Sequence, residues 1–520
     1  VFFPPGIYHV NSEMDNRRPL RIRRGGIVLR GSGGWEGGTQ IWIVHPTIDV
    51  GPKLKEPMGG GWLQIGTLQN SGEVLTHLTG DARRNGHVIK VHDGRAIRPG
   101  MWLSLRVRSK TIVKDVISPY TLSDLSPLWT RIVENGVTLV EHHLVKSVDG
   151  NRITLREPLK IDMKTEHGWY VTAYENIAEV GIEDICFQGA WIGKFYHHRS
   201  VMDDNGWEAV RFNNTVHSWI RRCTFINLNG AVSFESSSYM SLLHLEMSGA
   251  MGHSSIGTPR RCTGILVGLS KETPEQTGVH TNHSIGSAGS GVGHVFWRYT
   301  MHPDQSFDMH GMYPYATLFD RVTGGNLTTT GGPNASFPNH LKDFVVWNFR
   351  HVKEPPYRNK DGYDFWTAER PKVGRPNIVK PVIVGMHGAP VRFVESTVGV
   401  LECNGQEVEP ASLYEAQLAD RLGFLPDWVE RAKRDWKAMA DLKLPPYPRG
   451  EDKTPWVAEK RADIIRFILE TGNPNVCTPL KAGAPLRDLI AEWPTADSSP
   501  WPPVIIPGGG TFTGKITVRL

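Results

Sequence analysis

Two consecutive stretches, AVRFNNTVHSWIRRCTFINLNG at 209–230 and AVSFESSSYMSLLHLEMSGAMG at 231–252, align without a gap. Val210 aligns with Val232, which gives an offset of 22 residues (232 − 210 = 22). The apolar positions recur and the polar ones drift, with a glycine at each corner. Such a repeat indicates one coil of a solenoid of short parallel strands. We therefore predict a parallel β-helix, and an antiparallel sandwich is the weaker alternative.

Other strand-like runs extend the predicted solenoid over residues 1–408. They share short apolar alternation between glycine-rich loops, and they occupy 180–189, 294–302, 317–325 and 343–351. The 55 glycines and 36 prolines agree with many turns, and 39% hydrophobic residues agree with a core-forming chain. The fold class expected is all-β.

Two segments depart from the repeat. Two strand-like runs around Asp149-Gly150 predict a hairpin within a β-rich insertion at about 86–163. Helical spacing at 412–422 and 426–442, and again near 456–471, predicts a helical, Pro-rich extension over 409–520. The stripe of Trp428, Ala432, Trp436 and Met439 is expected to pack on the solenoid. The last residues, 508–520, read as the first strand of a further domain.

Charge and composition exclude several classes of function. The net charge is +5 with Lys and Arg scattered among acids, so no nucleic-acid partner is expected. No run approaches the roughly 20 apolar residues that span a bilayer, so no membrane partner is expected either. The 5 cysteines form no C-x-x-C pair, so zinc and thioredoxin-like motifs are excluded.

The opening FFPPGIYHV at 2–10, the run from Ile27 to Gly33 with Thr39–Ile41, and EVGIEDICFQG at 179–189 carry a family resemblance. They resemble the pectate-lyase-like right-handed parallel β-helix superfamily of bacterial carbohydrate-active proteins. The segment from His294 through Asp320 resembles an uncharacterised subgroup of it. The resemblance implies a secreted or periplasmic protein with a polysaccharide, of xylan or pectin type, in a groove along the coils. It also implies a binding module, joined to a catalytic domain, or an enzyme.

The densest polar cluster lies in HVFWRYTMHPDQSFDMHG at 294–311. Residues two apart on a strand share a face, so Asp308 and His310 are expected to point together, with His283 or His253 from stacked coils beside them. If the protein is an enzyme, the catalytic candidates are His310, Arg298, Asp308 and His302. A lyase would use Arg298 against a uronate carboxylate and His310 as the base. A ladder of polar side chains that only bond to one another is an equal alternative.

Hydrolysis has a weaker basis. The adjacent Asp203 and Asp204 suggest an inverting hydrolase, but neighbours on a strand face opposite ways, so a loop at Asp204-Asn-Gly is favoured. The sequences around His253 and His283 resemble the Gly-His-Gly stretch of polygalacturonase-type β-helices without its central glycine. No complete pectate-lyase or calcium-binding pattern is present, so no cofactor or metal is assigned, and calcium stays open without a motif.

The aromatic residues supply platforms for sugar rings. The residues predicted to bind carbohydrate are His253, His283, Asp304, Trp207, Trp297, Tyr313 and Tyr315. The preferred interpretation is a carbohydrate-recognising β-helix; the alternative is a secreted polysaccharide lyase acting by β-elimination, with an inverting hydrolase third.

Overall fold

The computed structural model describes residues 1–12, 19–47, 61–67, 72–191, 195–196, 201–250, 252–275, 283–354, 361–366, 377–447 and 512–513. The predicted helix near 456–471 lies outside these residues. Among them, no helix has both the length and the apolar character required to cross a lipid bilayer.

The chain begins with coils of short parallel strands. These strands are β1 (Gly6–Val10), β2 (Leu20–Ile22), β3 (Val28–Arg30), β4 (Thr39–Ile43) and β5 (Leu63–Gly66).

A closed antiparallel barrel then interrupts the coils. Its strands are β6 (Val74–Gly80), β7 (Val88–Val91), β8 (Trp102–Ser109), β9 (Val137–Asp149), β10 (Arg152–Leu155) and β11 (Tyr170–Ala173), in the order β10-β7-β6-β11-β8-β9. Helices α1 (Val113–Ile117) and α2 (Thr130–Asn135) join β8 to β9. The hairpin predicted at Asp149-Gly150 joins β9 to β10. The barrel strands span residues 74–173 and so extend beyond the predicted 86–163 at both ends.

The coils resume after the barrel. They comprise β12 (Ile177–Ala178), β13 (Gly181–Glu183), β14 (Ile185–Gln188), α3 (Val201–Asn205), β15 (Glu208–Asn213), β16 (Thr215–Val216), β17 (Trp219–Ile226), β18 (Gly230–Glu235), β19 (Ser241–Gly249), β20 (Ser254–Ile256), β21 (Leu266–Gly268), β22 (Lys271–Pro274), β23 (Gly286–Ser287), β24 (Val295–Trp297), β25 (Ser306–Met309), β26 (Thr317–Asp320), β27 (Thr323–Gly324), β28 (Asn326–Thr330), β29 (Phe344–Trp347), β30 (Arg350–His351), β31 (Val382–Val384), β32 (His387–Gly388) and β33 (Val400–Glu402).

The C-terminal elements are α4 (Leu413–Leu422), α5 (Asp427–Ala438) and β34 (Phe512–Thr513). Short 3₁₀ turns lie at Leu122–Asp124, Thr165–His167, Asn334–Ser336 and Glu395–Thr397.

Parallel pairing between successive coils establishes the β-helix. The long sheet runs β33-β31-β29-β26-β24-β21-β19-β17-β14-β4-β1-β34. A second sheet runs β2-β5-β15-β18-β20, and the bridge between Ser254 and His283 joins it to β23-β25-β28. We call these joined strands the ladder sheet. The right-handed sense of the coils stays a prediction, in line with the handedness of nearly all parallel crossovers.

The 22-residue repeat is confirmed as a structural register. Val210 pairs with Val232 and Phe212 with Phe234 in β15 and β18. The equivalent pairs in β17 and β19 are Ile220 with Leu242, Cys223 with Leu245 and Phe225 with Met247. Because equivalent side chains lie one coil apart, like rings stack inside the solenoid.

Helices α4 and α5 cover part of the long sheet. Ser412 caps α4, and the backbone N–H of Leu413 donates to Asp320 Oδ1 at 3.0 Å. Burial raises the pKa of Asp320 to about 6. The hydrogen bonds that its carboxylate accepts from Ser412, Leu413 and Tyr414 lower the pKa, but by less than burial raises it. Three of the four residues of the predicted stripe pack on the solenoid, since Trp428, Ala432 and Trp436 join Trp297 in one apolar cluster that does not include Met439.

Strand β34 pairs in parallel with β1, Tyr8 with Phe512 and His9 with Thr513. This pairing adds β34 to the edge of the long sheet, and the expectation that residues 508–520 begin a further domain stays a prediction.

A buried polar contact joins the barrel to the solenoid. Tyr315 Oη donates to Glu141 Oε1 at 2.9 Å, and Glu141 Oε2 faces His143 Nε2 at 2.8 Å. His142 Nδ1 lies 2.7 Å from Ser238 Oγ. Glu141, His142 and His143 are completely buried on β9, and their polar bonds fix this face of the barrel to the coils.

Phe212→Ala tests the stacked interior. Phe212 is fully buried, with its ring centroid 6.1 Å from that of Phe234. We expect a loss of about 3–5 kcal/mol in unfolding free energy, from lost burial and the cavity left behind. Chemical denaturation measures it, with the exposed Arg23→Ala as control, expected within about 0.5 kcal/mol of wild type. Equal effects of the two substitutions would contradict the packing described.

Candidate functional site

Strand β25 and the residue that follows it present two of the predicted residues, Asp308 and His310, on one face. Phe307 and Met309 point into the solenoid core, so Asp308 and His310 lie on the opposite side. Register then brings the neighbouring coils alongside. Ser254 pairs with His283, and Gly286 pairs with Asp308.

Three imidazoles line up across successive coils of the ladder sheet. The ring centroids of His253 and His283 are 5.0 Å apart, and those of His283 and His310 are 5.8 Å apart. The second pair is edge-to-face, with an interplanar angle of 89°. Each ring is partly exposed, with side-chain exposures of 17%, 12% and 24% in chain order. Solvent therefore reaches all three histidines.

Two carboxylates accompany the histidines. Asp308 lies between two of them: its Oδ1 is 3.6 Å from His283 Nδ1, and both its oxygens are 3.2 Å from His310 Nδ1. Asp204 Oδ1 lies 3.9 Å from His253 Nδ1 at the other end of the row. We call Asp204, His253, His283, Asp308 and His310 the His–Asp ladder.

The short helix α3 explains why Asp204 can take part. The chain turns as a helix over Val201–Asn205, whereas the sequence suggested a loop. Asp203 and Asp204 are both buried there, so the alternation rule for strands does not separate them. Asp204 belongs to the ladder because its Oδ1 faces His253.

Charge coupling dominates the electrostatics of Asp308. Burial alone would raise the pKa of this carboxyl, but His283, His310 and His253 lower it more, so it stays well below its usual value. Burial lowers the pKa of His310, whereas the charge of Asp308 and its hydrogen bond raise it, and the net shift is upward. Both shifts favour an imidazolium on His310 beside an ionised Asp308.

The backbone at Gly331 closes over this pair. A Cβ at Gly331 would lie 2.0 Å from His310 Nδ1 and 3.0 Å from Asp308 Oδ1. Only glycine leaves room for the imidazole here, so Gly331 fixes the ring against Asp308.

Arg298 does not join the ladder. It follows β24 in the long sheet, and its Nε lies 2.7 Å from Glu415 Oε1 of α4. The expectation that Arg298 acts beside His310 is corrected, because the C-terminal helices engage its guanidinium. Trp297 is fully buried under the same helices, and its Nε1 donates to Glu415 at 3.0 Å.

His302 and Asp304 form a separate corner. His302 Nδ1 is 3.9 Å from Asp304 Oδ2, and Lys353 bonds to Asp304. Burial lowers the pKa of His302, opposed by the charge of Asp304. This corner precedes β25, whereas the ladder lies toward the end of that strand.

The other predicted aromatic residues are buried. Trp207 is fully buried and donates from Nε1 to Ile43 O at 3.1 Å. Tyr313 and Tyr315 are 6% and 2% exposed, in the core that the barrel and solenoid share. None of these rings forms an open strip for sugar stacking, because each packs inside the protein.

Two functional candidates were missed in the sequence. Arg260 is exposed, forms a parallel bridge with Ala288 directly after β23, and its charge lowers the pKa of His310. Glu208, at the start of β15 in the same sheet, is buried with a raised pKa and bonds to Ser233. The repeat could have indicated Glu208, which is one coil from Gly230. Arg260 lies outside the 22-residue repeat and bridges Glu235 and Ala288 on the neighbouring coils.

A group of potential metal ligands occurs on the barrel. Among the described residues, the donor atoms of Asp115, Glu166 and His167 lie within 4.8 Å of one another. Asp115 Oδ2 already bonds to Lys164 Nζ at 2.7 Å and faces His167 Nε2 at 2.9 Å. These contacts make the group a closed ion-pair cluster.

A model for a domain of unknown function, DUF4955, matches residues 280–432. The match includes His283, Asp308 and His310 and ends within α5, but covers less than half of the chain. No curated protein matches the sequence.

Similar solved structures include the tailspike protein gp49 from Pseudomonas phage LKA1, at 11% identity and a TM-score of 0.40, with 75% of this chain and 62% of that chain covered. DFA-IIIase from Arthrobacter chlorophenolicus A6 has 10% identity and a TM-score of 0.33, covering 81% and 78%. The gp54 tailspike of Acinetobacter baumannii bacteriophage AP22, in complex with capsular saccharide, has 12% identity and a TM-score of 0.29, covering 77% and 73%. The chain thus spans less than two thirds of the LKA1 tailspike. Each of these three TM-scores is below 0.5, so the strand pairing itself establishes the β-helix.

His310→Gln tests the coupled pair through pH. The folded-state pKa of His310 is raised above 6.5, so its stabilisation is fully present below pH 6.5 and is lost as pH rises through the raised pKa. The folded-state pKa of Asp308 is lowered below 3.8, so the stabilisation that its carboxylate provides is fully present above pH 3.8. That stabilisation is lost as pH falls through the lowered pKa. We expect the difference in melting temperature between wild type and His310→Gln to be largest between pH 3.8 and pH 6.5.

His351→Gln provides the control with opposite sign. Burial lowers the pKa of His351 to about 4, so the wild type gains stability relative to this variant as the pH rises toward 6.5. A gap for His310→Gln that stays constant from pH 5 to pH 9 would show that Asp308 and His310 are not coupled.

Proposed function

We propose that the protein is a carbohydrate-active β-helix that cleaves an acidic polysaccharide by β-elimination at the His–Asp ladder. The observation that carries this proposal is the position of Asp308, within 3.6 Å of His283 and 3.2 Å of His310. One carboxylate beside two partly exposed imidazoles favours proton transfer over a purely binding role.

Asp308 carries one negative charge, so it stabilises one additional proton on the two imidazoles of His283 and His310 better than it stabilises two. The first imidazolium is stabilised by Asp308, whereas a second would be repelled by the first. Over a range of pH the pair therefore contains one acid and one base on the same face of the sheet. We assign the acid to His310, whose pKa is raised, and the base to His283.

Elimination uses both groups at once. The base removes the C5 proton of a uronate, the C4–O4 bond breaks, and the acid protonates the departing O4, which leaves a C4–C5 double bond. A cation must blunt the substrate carboxylate so that C5 becomes acidic. Arg260 takes this role in the proposal in place of Arg298.

Hydrolysis is less well supported. An inverting hydrolase needs one carboxylic acid that keeps its proton and one carboxylate that activates water. Asp308 has a lowered pKa and therefore stays ionised, so it cannot act as that acid.

The chemistry narrows the substrate class. Elimination requires a carboxyl-bearing sugar, which favours a pectin-type or other uronic-acid polymer over unsubstituted xylan. The proposal includes a secreted or periplasmic location, because such polymers lie outside the cytoplasm, and it needs no separate catalytic domain.

His310→Gln and Asp308→Asn test the acid–base pair. We expect each to lower kcat/KM by about 10²–10⁴-fold, the usual contribution of a positioned acid or base. The assay incubates the protein with xylans, pectins, alginate and glucuronans, and follows the ultraviolet absorbance of unsaturated products, reducing ends and retardation in affinity electrophoresis. His302→Gln, at the separate corner, is the matched control and should retain wild-type turnover.

Two other outcomes of this assay would contradict β-elimination. Reducing ends without new absorbance would indicate a hydrolase. Retardation by one polysaccharide with neither signal would leave a binding module, as preferred from the sequence alone.

Arg260→Gln tests recognition of the carboxylate. We expect KM for an unesterified uronan to rise about tenfold, because a charge-assisted contact is lost. The same variant should act on a methyl-esterified substrate like wild type. Arg261→Gln is the control, because Arg261 pairs with Glu235 at 2.7 Å. An equal effect on both substrates would contradict this role.

A further inference from the structure

One aromatic side chain beside the His–Asp ladder is open to solvent. Tyr196 is 40% exposed, whereas Phe195, the residue before it, is 2% exposed. Among the exposed large hydrophobic side chains of the described residues, the one other aromatic ring is that of Phe424, at 64%. The aromatic residues chosen from the sequence are buried, so Tyr196 is a surface ring that the sequence did not single out.

Phe195 attaches this segment to the ladder. Its ring stacks on that of His253, with centroids 5.8 Å apart and an interplanar angle of 24°. Phe195 also belongs to the apolar core of the solenoid. Because consecutive Cα atoms are about 3.8 Å apart, the backbone of Tyr196 lies directly beside a residue that packs on the ladder.

Helix α3 holds both the ladder and Tyr196 through two adjacent carboxylates. Asp204 Oδ1 faces His253 Nδ1 at 3.9 Å, and Asp203 Oδ1 accepts from the backbone N–H of Tyr196 at 3.4 Å. Asp203 and Phe195 are both buried, so they hold the segment from the inner side. The ring of Tyr196 is therefore the part of the segment that faces solvent.

The contacts place Tyr196 at one end of a row of rings. From Phe195 through His253 and His283 to His310, successive ring centroids are 5.8, 5.0 and 5.8 Å apart. These distances are close to the spacing of about 4.8 Å between neighbouring strands, so the row crosses the coils. Tyr196 lies at the end of the row opposite His310.

We propose that Tyr196 is a stacking platform for a sugar residue of the uronic-acid chain, at the end of the ladder opposite His310. This inference rests on the proposed function and adds to it the course of the substrate, which runs across the coils of the ladder sheet. The C–H face of a sugar packs on an aromatic ring, and this ring is already exposed to receive it.

The platform contributes to binding and not to bond breaking. Proton transfer is assigned to His283 and His310, and His253 with Phe195 lies between them and Tyr196. The sugar on Tyr196 is therefore not one whose bonds change, and its contact is equally strong before and during the reaction. Loss of such a contact raises KM and leaves kcat unchanged.

Tyr196→Ala tests the platform. We expect KM for hexamers of galacturonate, glucuronate or mannuronate to rise about three- to tenfold, with kcat unchanged, because one stacking contact is lost. The ultraviolet absorbance of unsaturated products measures both constants. The melting temperature should stay at the wild-type value, because the ring is exposed.

Two further variants serve as controls. Tyr196→Phe keeps the ring, so its KM should remain close to that of wild type. Phe424→Ala removes the other exposed aromatic ring, which lies between α4 and α5 on the elements that cover the long sheet. It should retain both the KM and the kcat of the wild type.

Three results would overturn the platform while the ladder proposal stands. They are a wild-type KM in Tyr196→Ala, a fall in kcat without a rise in KM, and a melting temperature well below that of wild type, which would mean that the ring packs in the protein. If the wild type cleaves none of the acidic hexamers or polymers, the proposed function fails, and the platform fails with it.

Discussion

In-register parallel pairing between coils is the constraint on which the whole molecule depends. Each coil offers its backbone groups to the next, so a residue on one coil lies beside its equivalent on the neighbour. For apolar residues this is favourable, and the rings of Phe296 and Phe319 accordingly stack at 4.9 Å inside the solenoid. In-register pairing also stacks polar residues on the outer face, where it places like groups side by side even when their charges repel.

In the His–Asp ladder, a carboxylate offsets the repulsion that the stacking of like groups would cause. Three imidazoles in a row would repel one another if all were protonated, and Asp308 compensates because it lies between two of them. Its carboxylate stays ionised under burial that would otherwise neutralise it. The carboxylate favours a proton on His310 and lies beside His283 as well, and the proposed chemistry rests on this arrangement.

The additions to the solenoid decide which surfaces are left to bind a ligand. Helices α4 and α5 cover Trp297 and engage Arg298, so that part of the long sheet is occupied. The barrel buries Tyr315 through Glu141 and brings Tyr120 and Trp129 beside Trp366. Neither addition covers the imidazoles of the ladder, which keep partial exposure.

The sequence by itself determined the local features: the 22-residue register, the common face of Asp308 and His310, the hairpin at Asp149-Gly150 and the two helices near 412–438. Each depends on spacing along the chain, which the sequence contains. Only the tertiary structure decided which residues meet across coils and additions. Arg298 follows a strand of the long sheet, where Glu415 of α4 engages it, and Tyr313 is buried against the barrel, because contacts between distant segments depend on packing that periodicity does not encode. Arg260 and the helix α3 with Asp204 lie outside the 22-residue repeat, so the bridge of Arg260 to Ala288 and the contact of Asp204 with His253 became visible only once the coils were stacked.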